Sequence, residues 1–272
     1  MTKKVEELVL YEKIALDELP KQYLGLVTLN RPNDLNPLDW DTFLKLKEVL
    51  ENMASDVEVR VIAITGNGKA FSAGGDLKRY KNLQKDEQGF REFLRDVHST
   101  FNFIEKIEKP VIGLINGYCV AGGFELVLAC DFAYAAESAK IGDGHINYGQ
   151  MGGGGSLSRI VRRIHPSWGR ELLFTGKLIS AQEAMEWGIV NRVVPDGKLI
   201  EAALECTRGI SRKSPLALKN MKRVVNRALK MREEDAIALE CEVTHHYCVT
   251  SFDAQEGLAA FAEKRSAKYK GV

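Results

Sequence analysis

The chain has 272 residues, 45% of them hydrophobic, with 38 Lys and Arg against 37 Asp and Glu. That length and apolar content fill one large core, or one core with a small appendage. A net charge of +1 gives no global attraction to nucleic acid or to an acidic membrane, so any anion must be recognised locally.

The opening MTKKVEELVLYEK lacks the apolar core of a signal peptide and the Arg/Ser-rich, acid-poor character of a transit peptide. No later apolar run reaches membrane-spanning length. The five cysteines, Cys119, Cys130, Cys206, Cys241 and Cys248, are odd in number and form no C-x-x-C pair. They argue against a disulfide framework or a zinc site and for a reduced, cytoplasmic setting.

In chain order, LGLVTLN (24–30), VRVIAITG (59–66) and PVIGLING (110–117) are β-branched runs closed by Asn or Gly, and are expected as strands. Asn36-Pro37 is expected to cap a helix whose Leu38, Phe43, Leu46, Val49, Leu50 and Met53 share a face; Phe90 to Ile107 carries a second such stripe. Strands alternating with helices mean right-handed crossovers and a largely parallel sheet, an α/β fold. Beyond about residue 155 helix starts dominate: Ser180 with Glu183 reads as a capping box, and Ser214-Pro215 as a cap with proline at the first helical position. The organisation expected is a core over 1–199 and a helical region over 200–272, with no repeat or linker dividing the chain.

Two glycine turns stand out: either alone reads as a tight strand-to-helix turn, and as a pair they read as a candidate site. GKAFSAGGDL (68–77) follows VRVIAITG, and NGYCVAGGFELVLACD (116–131) follows PVIGL, so each is expected to put Ala-Gly-Gly where a strand ends and a helix begins. Open α/β sheets bind ligands there, and the unpaired N–H groups of two helix starts can converge on one oxygen. Neither segment, nor the Gly152 to Gly155 run, matches a phosphate-binding loop.

Together with LNRPNDLNPL, VIAITGNGKAFSAGGDL, FTGKLISAQEAMEWGIVNRVVP and FAEKRSAKY, these segments resemble the crotonase (enoyl-CoA hydratase/isomerase) superfamily over nearly the whole chain. The resemblance implies a crotonase-like spiral of β-β-α turns with a helical C-terminal trimerisation region, a homo-oligomer built as a trimer or dimer of trimers, and an acyl-CoA substrate with no prosthetic group. Carried over residue by residue, it implies oxyanion-hole amides at Gly75 and Gly122. It also implies a CoA groove at Leu35, Ala73, Asp76, Leu77 and Lys78, and CoA contacts across a subunit boundary from Phe261 and Lys264. Glu125 matches one of two catalytic glutamates of the hydratases. An acid among Phe124 and LVLA on an apolar helix is costly unless it has a task.

The second hydratase glutamate lies twenty residues later, where this chain has His145. HINYG also resembles the corresponding segment of hydroxycinnamoyl-CoA hydratase-lyases, which carry glutamate there. Some β-diketone hydrolases of the superfamily have histidine nearby but lack the AGGD turn. Imidazole titrates near pH 6.5 and exchanges protons near neutrality. Asp143 either orients it or only turns the chain, and the Gly152 to Gly155 run either leaves room beside an acyl group or forms a flexible loop. His98 on an amphipathic helix, His165 before Pro166 and His245-His246 on the late helices are assigned no chemistry, and the basic face Lys219 to Lys230 is expected as solvated surface.

The expected activity is a lyase hydrating an α,β-unsaturated acyl-CoA through an enolate. The alternatives are hydrolysis of a C–C bond in a β-keto acyl-CoA or cyclic β-diketone, and a non-catalytic, RNA-associated binding protein.

Overall fold

The computed structural model describes residues 7–272. Strands β1 (Val9–Ala15) and β2 (Tyr23–Leu29) form an antiparallel hairpin, followed by helix α1 (Trp40–Ser55). Then come β3 (Val59–Gly66) and β4 (Ala70–Ser72), with α2 (Leu77–Leu83) and α3 (Glu87–Lys106). The next turn is β5 (Val111–Ile115), β6 (Tyr118–Val120) and α4 (Gly122–Ala129). A third is β7 (Phe132–Ala136), β8 (Lys140–Gly142), a 3-10 turn at His145–Tyr148, then α5 (Ser156–Arg163) and α6 (Pro166–Thr175). β9 (Ile179–Ser180), α7 (Ala181–Glu186) and β10 (Arg192–Val194) close the core; α8 (Leu199–Ser211), α9 (Pro215–Ala228), α10 (Glu233–Thr250) and α11 (Phe252–Ala262) complete the chain.

The pairs β3/β4, β5/β6 and β7/β8 each place one strand in a six-stranded sheet, ordered β1-β2-β3-β5-β7-β10, and the next in a four-stranded sheet, ordered β4-β6-β8-β9. This is the β-β-α spiral. From β2 to β10 the larger sheet is parallel, and it is buried on both faces. One face packs on α1, α3 and α4 through residues such as Leu46, Phe101 and Phe124; the other packs on α8 through Ala202 and Ala203. Two-sided burial explains the apolar run Val61–Ile64 at the centre of β3.

Several expectations shift. Asn36 does not cap α1: it has φ +54°, accepts a bond from the Arg31 amide on Oδ1, and donates through Nδ2 to Asn67 O and Ala70 O. The cap is Asp39, bonded to the Thr42 amide and paired with Arg31 at 2.6 Å. Asn tolerates the left-handed conformation, and its three bonds repay the turn. The capping box at Ser180 and Glu183 and the Ser214 cap before Pro215 form as expected. Lys222 is not a solvated charge: its amine binds Asp131 at 2.6 Å and the carbonyls of Ile104 and Lys109, docking α9 on the core. The five cysteines are free thiols. No described helix is long and apolar enough to cross a membrane.

Candidate active site

The first Ala-Gly-Gly follows β4 and the second follows β6, adjacent parallel strands of the smaller sheet. Both turns therefore leave the same sheet edge. The expectation had placed them after β3 and β5, because three-residue strands are too short to register as periodicity. Only Gly122 opens a helix; Gly75 lies just before Asp76, which caps α2 through the Lys78 and Arg79 amides.

Backbone crowding sets the distance between the turns. Gly74 has φ +94°, and a side chain there would lie 2.6 Å from Ala121 Cβ and 3.3 Å from the Gly122 nitrogen. Gly123 is pressed equally close to Ser72. Ala121 has φ +51° and ψ −118°, a conformation that costs an L-residue on the order of 1–3 kcal/mol and is held by its contacts. The loop after β2 braces the first turn, with Ala73 N donating to Leu35 O and Leu38 N to Gly74 O. Among the described residues neither the Gly75 nor the Gly122 amide has a protein acceptor.

Glu125, in the first turn of α4, is 4% exposed. Its Oε1 accepts bonds from the Gly154 amide at 2.7 Å and the Ser156 amide at 3.1 Å. Burial raises its pKa, and the nearby His145 charge with these two amides offsets only part of that. His145 opens the 3-10 turn after β8, and its Nδ1 lies 3.0 Å from Oδ1 of Asp143, which is 2% exposed. Burial opposes a charged imidazole, but the Asp143 hydrogen bond and charge, with Glu125, outweigh it and raise the His145 pKa. Burial likewise works against an Asp143 carboxylate, and the bond and charge of His145 outweigh it, leaving the Asp143 pKa lowered. The geometry favours an imidazolium–carboxylate pair beside a buried carboxyl.

These groups face a cavity of about 490 Å³. Gly75, Gly122, Glu125 and His145 line its wall, Phe43, Phe93, Leu94 and Val97 form an apolar interior, and the half-exposed Leu35, Leu77 and Tyr118 stand at its mouth. A thioester oxygen placed on the two free amides would have both titratable groups beside its acyl chain.

The model of the enoyl-CoA hydratase/isomerase family matches residues 21–272. The chain belongs to this family. The crotonyl-CoA hydratase of Syntrophomonas wolfei is 35% identical over 260 residues, covering 95% of this chain and 98% of that protein. The mitochondrial enoyl-CoA hydratase of Pongo abelii is 35% identical, with coverage of 91% and 83%. The crystal structure of an enoyl-CoA hydratase from Bacillus anthracis superposes with a TM-score of 0.89 at 32% identity, covering 98% of this chain and 100% of that one.

Within this enoyl-CoA hydratase family member, Ala73 joins Leu35 and Leu77 on the cavity wall, whereas Asp76 and Lys78 lie outside it. Phe261, 85% exposed, ends α11, and Lys264 follows it with φ +55°; neither lines the cavity of its own chain. Gly153 and Gly154 line the cavity, and the run is closely packed. A side chain on Gly154 would lie 2.6 Å from Phe101 and 2.7 Å from Glu125 Oε2, and one on Gly153 2.9 Å from Leu94. The run lies flat on the carboxyl and delivers two amides to it. Gly154 and Ser156 are thus site residues that sequence reading missed, although four consecutive glycines signal a backbone in close approach. Gly154→Ala is expected to lower kcat at least tenfold and reduce thermal stability by about 2 kcal/mol, through overpacking against Phe101 and displacement of Glu125; steady-state kinetics and calorimetry check both.

A second cavity, of about 510 Å³, lies beneath α9; there Arg163 donates to the Leu128 and Cys130 carbonyls and Lys222 to Asp131, and Arg162 also lines the wall. Among the described residues no cluster of His, Cys, Asp and Glu has the makings of a metal site.

Proposed function

We propose that the protein hydrates an α,β-unsaturated acyl-CoA. The observation that carries this reading is the convergence of two free amides, a buried carboxyl and a histidine–aspartate pair on one apolar cavity. The Gly75 and Gly122 amides hold the thioester oxygen, where negative charge grows as the enolate forms. Glu125 takes a proton from water, whose oxygen bonds to the β-carbon; the α-carbon then takes the proton carried by His145 as the enolate collapses. Asp143 sets the imidazole tautomer and stabilises its charged form. The chemistry uses side chains and backbone amides, with CoA only as part of the substrate.

We further infer that residues 200–272 assemble the chain into a trimer or dimer of trimers. The exposed apolar side chains Met221 and Val225 on α9, Leu229 just after it, and Leu258 and Phe261 on α11 support this. On this reading Phe261 and Lys264 reach CoA bound to a neighbouring subunit, and Asp76 and Lys78, outside the acyl cavity, line the CoA groove. The five free thiols support a cytoplasmic setting.

One observation favours a second reaction: an imidazolium replaces a second carboxyl, and it is a ready proton donor to a departing carbanion in C–C bond hydrolysis of a 3-oxoacyl-CoA. Assays with purified protein on enoyl-CoA and 3-oxoacyl-CoA thioesters separate the two. Hydration is expected; turnover of the 3-oxoacyl series alone would replace it, and turnover of neither would end both.

The pH profile follows from the sites. Glu125 acts ionised, so kcat/KM is expected to fall as pH drops through its raised pKa. His145 acts protonated, so the rate is expected to fall as pH rises through its pKa, which the Asp143 bond and charge raise from the ordinary histidine value. A rate that keeps climbing as pH rises, with no descending limb, would exclude His145 as the acid.

A further inference from the structure

We propose that Ser156 is a positioning residue that ties the two halves of the site together, its amide holding Glu125 and its hydroxyl holding Asp143. The inference rests on the reading of His145 as proton donor. Ser156 is fully buried at the start of α5, and its amide donates to Glu125 Oε1 at 3.1 Å. Its Oγ and Asp143 Oδ2 are two of four buried side-chain polar atoms among the described residues that have no hydrogen-bond partner.

Those two oxygens are neighbours. A side chain on Gly152 would collide with Ser156 Oγ and lie 3.0 Å from Glu125 Oε1 and 3.4 Å from Asp143 Oδ2. All three oxygens therefore surround one point. A buried carboxylate oxygen and a buried hydroxyl this close are each expensive alone and satisfy one another as donor and acceptor. The Ser156 hydroxyl is among the groups that lower the Asp143 pKa by hydrogen bonding; a small rotation about Cα–Cβ brings Oγ into line, and the hydroxyl hydrogen then turns about Cβ–Oγ to point at Oδ2.

The consequence is chemical. Asp143 Oδ1 already serves His145 through Nδ1, so a donor on Oδ2 draws charge from the carboxylate and fixes its plane. A less basic Asp143 grips the imidazolium proton less tightly and leaves His145 a stronger acid. The charged groups that act on His145 are Asp143 and Glu125, and Ser156 touches both. The absence of a side chain on Gly152 is what allows the three oxygens to meet.

Ser156→Ala tests this, because it keeps the amide and the helix start and removes only the hydroxyl. The His145 ring titrated by NMR in the full-length protein is expected to move up by about half a pH unit, since a hydrogen bond to the charged form of Asp143 has been lost. With the substrate found above, kcat is expected to fall about five- to tenfold with KM within twofold. In the Asp143→Asn background the same change is expected to move neither quantity further. An unmoved or lowered His145 titration overturns the link. A kcat loss of equal size in both backgrounds would show that the hydroxyl does not act through Asp143. The titration needs no turnover, so it reads the link even if His145→Ala shows that histidine to be dispensable.

Discussion

Glu125→Gln is expected to lower kcat by about three orders of magnitude, within the range for removing a positioned acid–base group, and to leave the KM for an acyl-CoA within a few-fold. Gln keeps the shape of the side chain, and its amide oxygen still accepts from Gly154 and Ser156, but it cannot take a proton from water. His145→Ala is expected to cost about 100-fold or more. The double variant is then expected to lose far less than the product of the two, because both groups serve one transition state. Stability separates catalysis from architecture. Folding raises the Glu125 pKa, so its ionised form is disfavoured in the native state above the ordinary carboxylate range, and at pH 7 the Gln variant is expected to melt no lower than the parent. A folded His145→Ala protein with full kcat would remove the histidine from the mechanism.

Gly74→Ala is expected to cost about 100- to 1000-fold in kcat, as much as the loss of one oxyanion donor, which is typically about 2.7 to 4 kcal/mol. The added methyl has nowhere to go: it meets Ala121 Cβ at 2.6 Å and Val120 O at 3.2 Å, in a backbone conformation unsuited to L-residues. Relief requires the two turns to move apart, carrying Gly75 away from Gly122. Gly75→Ala supplies the contrast, since a methyl there meets nothing within 4 Å and is expected to leave the melting temperature within about 2 °C. Parent-like kcat and KM in Gly74→Ala would show that the turn spacing does not govern the oxyanion hole.

Much of this was legible in the residues, and the failures have physical causes. The run 59–66 reads directly as β3 because a strand buried on both faces is apolar through its centre, here Val61 to Ile64. Glu125 stands out because an acid on the apolar helix α4 has no solvent to face. The three-residue strands of the smaller sheet escaped notice because no period develops over so few residues, which put both Ala-Gly-Gly turns on the wrong strands. β1 was not recognised either; it is an edge strand with exposed residues along much of its length, so its alternation is weak. Asn36 imitated a helix cap because Asn-Pro has the right chemistry, while its bonds to Asn67 and Ala70 are visible only once the chain has folded. The role of Ser156 lies in two atoms brought together from loops thirteen residues apart in number, Asp143 and Ser156, and no local pattern records that meeting.

β4, β6 and β8 stand side by side, and on the proposed reading the segment after each carries one share of the work. The first supplies Gly75, the second Gly122 with Glu125, and the third Asp143 with His145. Thioester activation and proton delivery are thereby inherited on separate stretches of chain that share no residues. A lineage with this architecture is free to exchange its proton donor by altering a few codons after β8, with the carbonyl grip left untouched. The layout that makes the site also makes its chemistry easy to diversify.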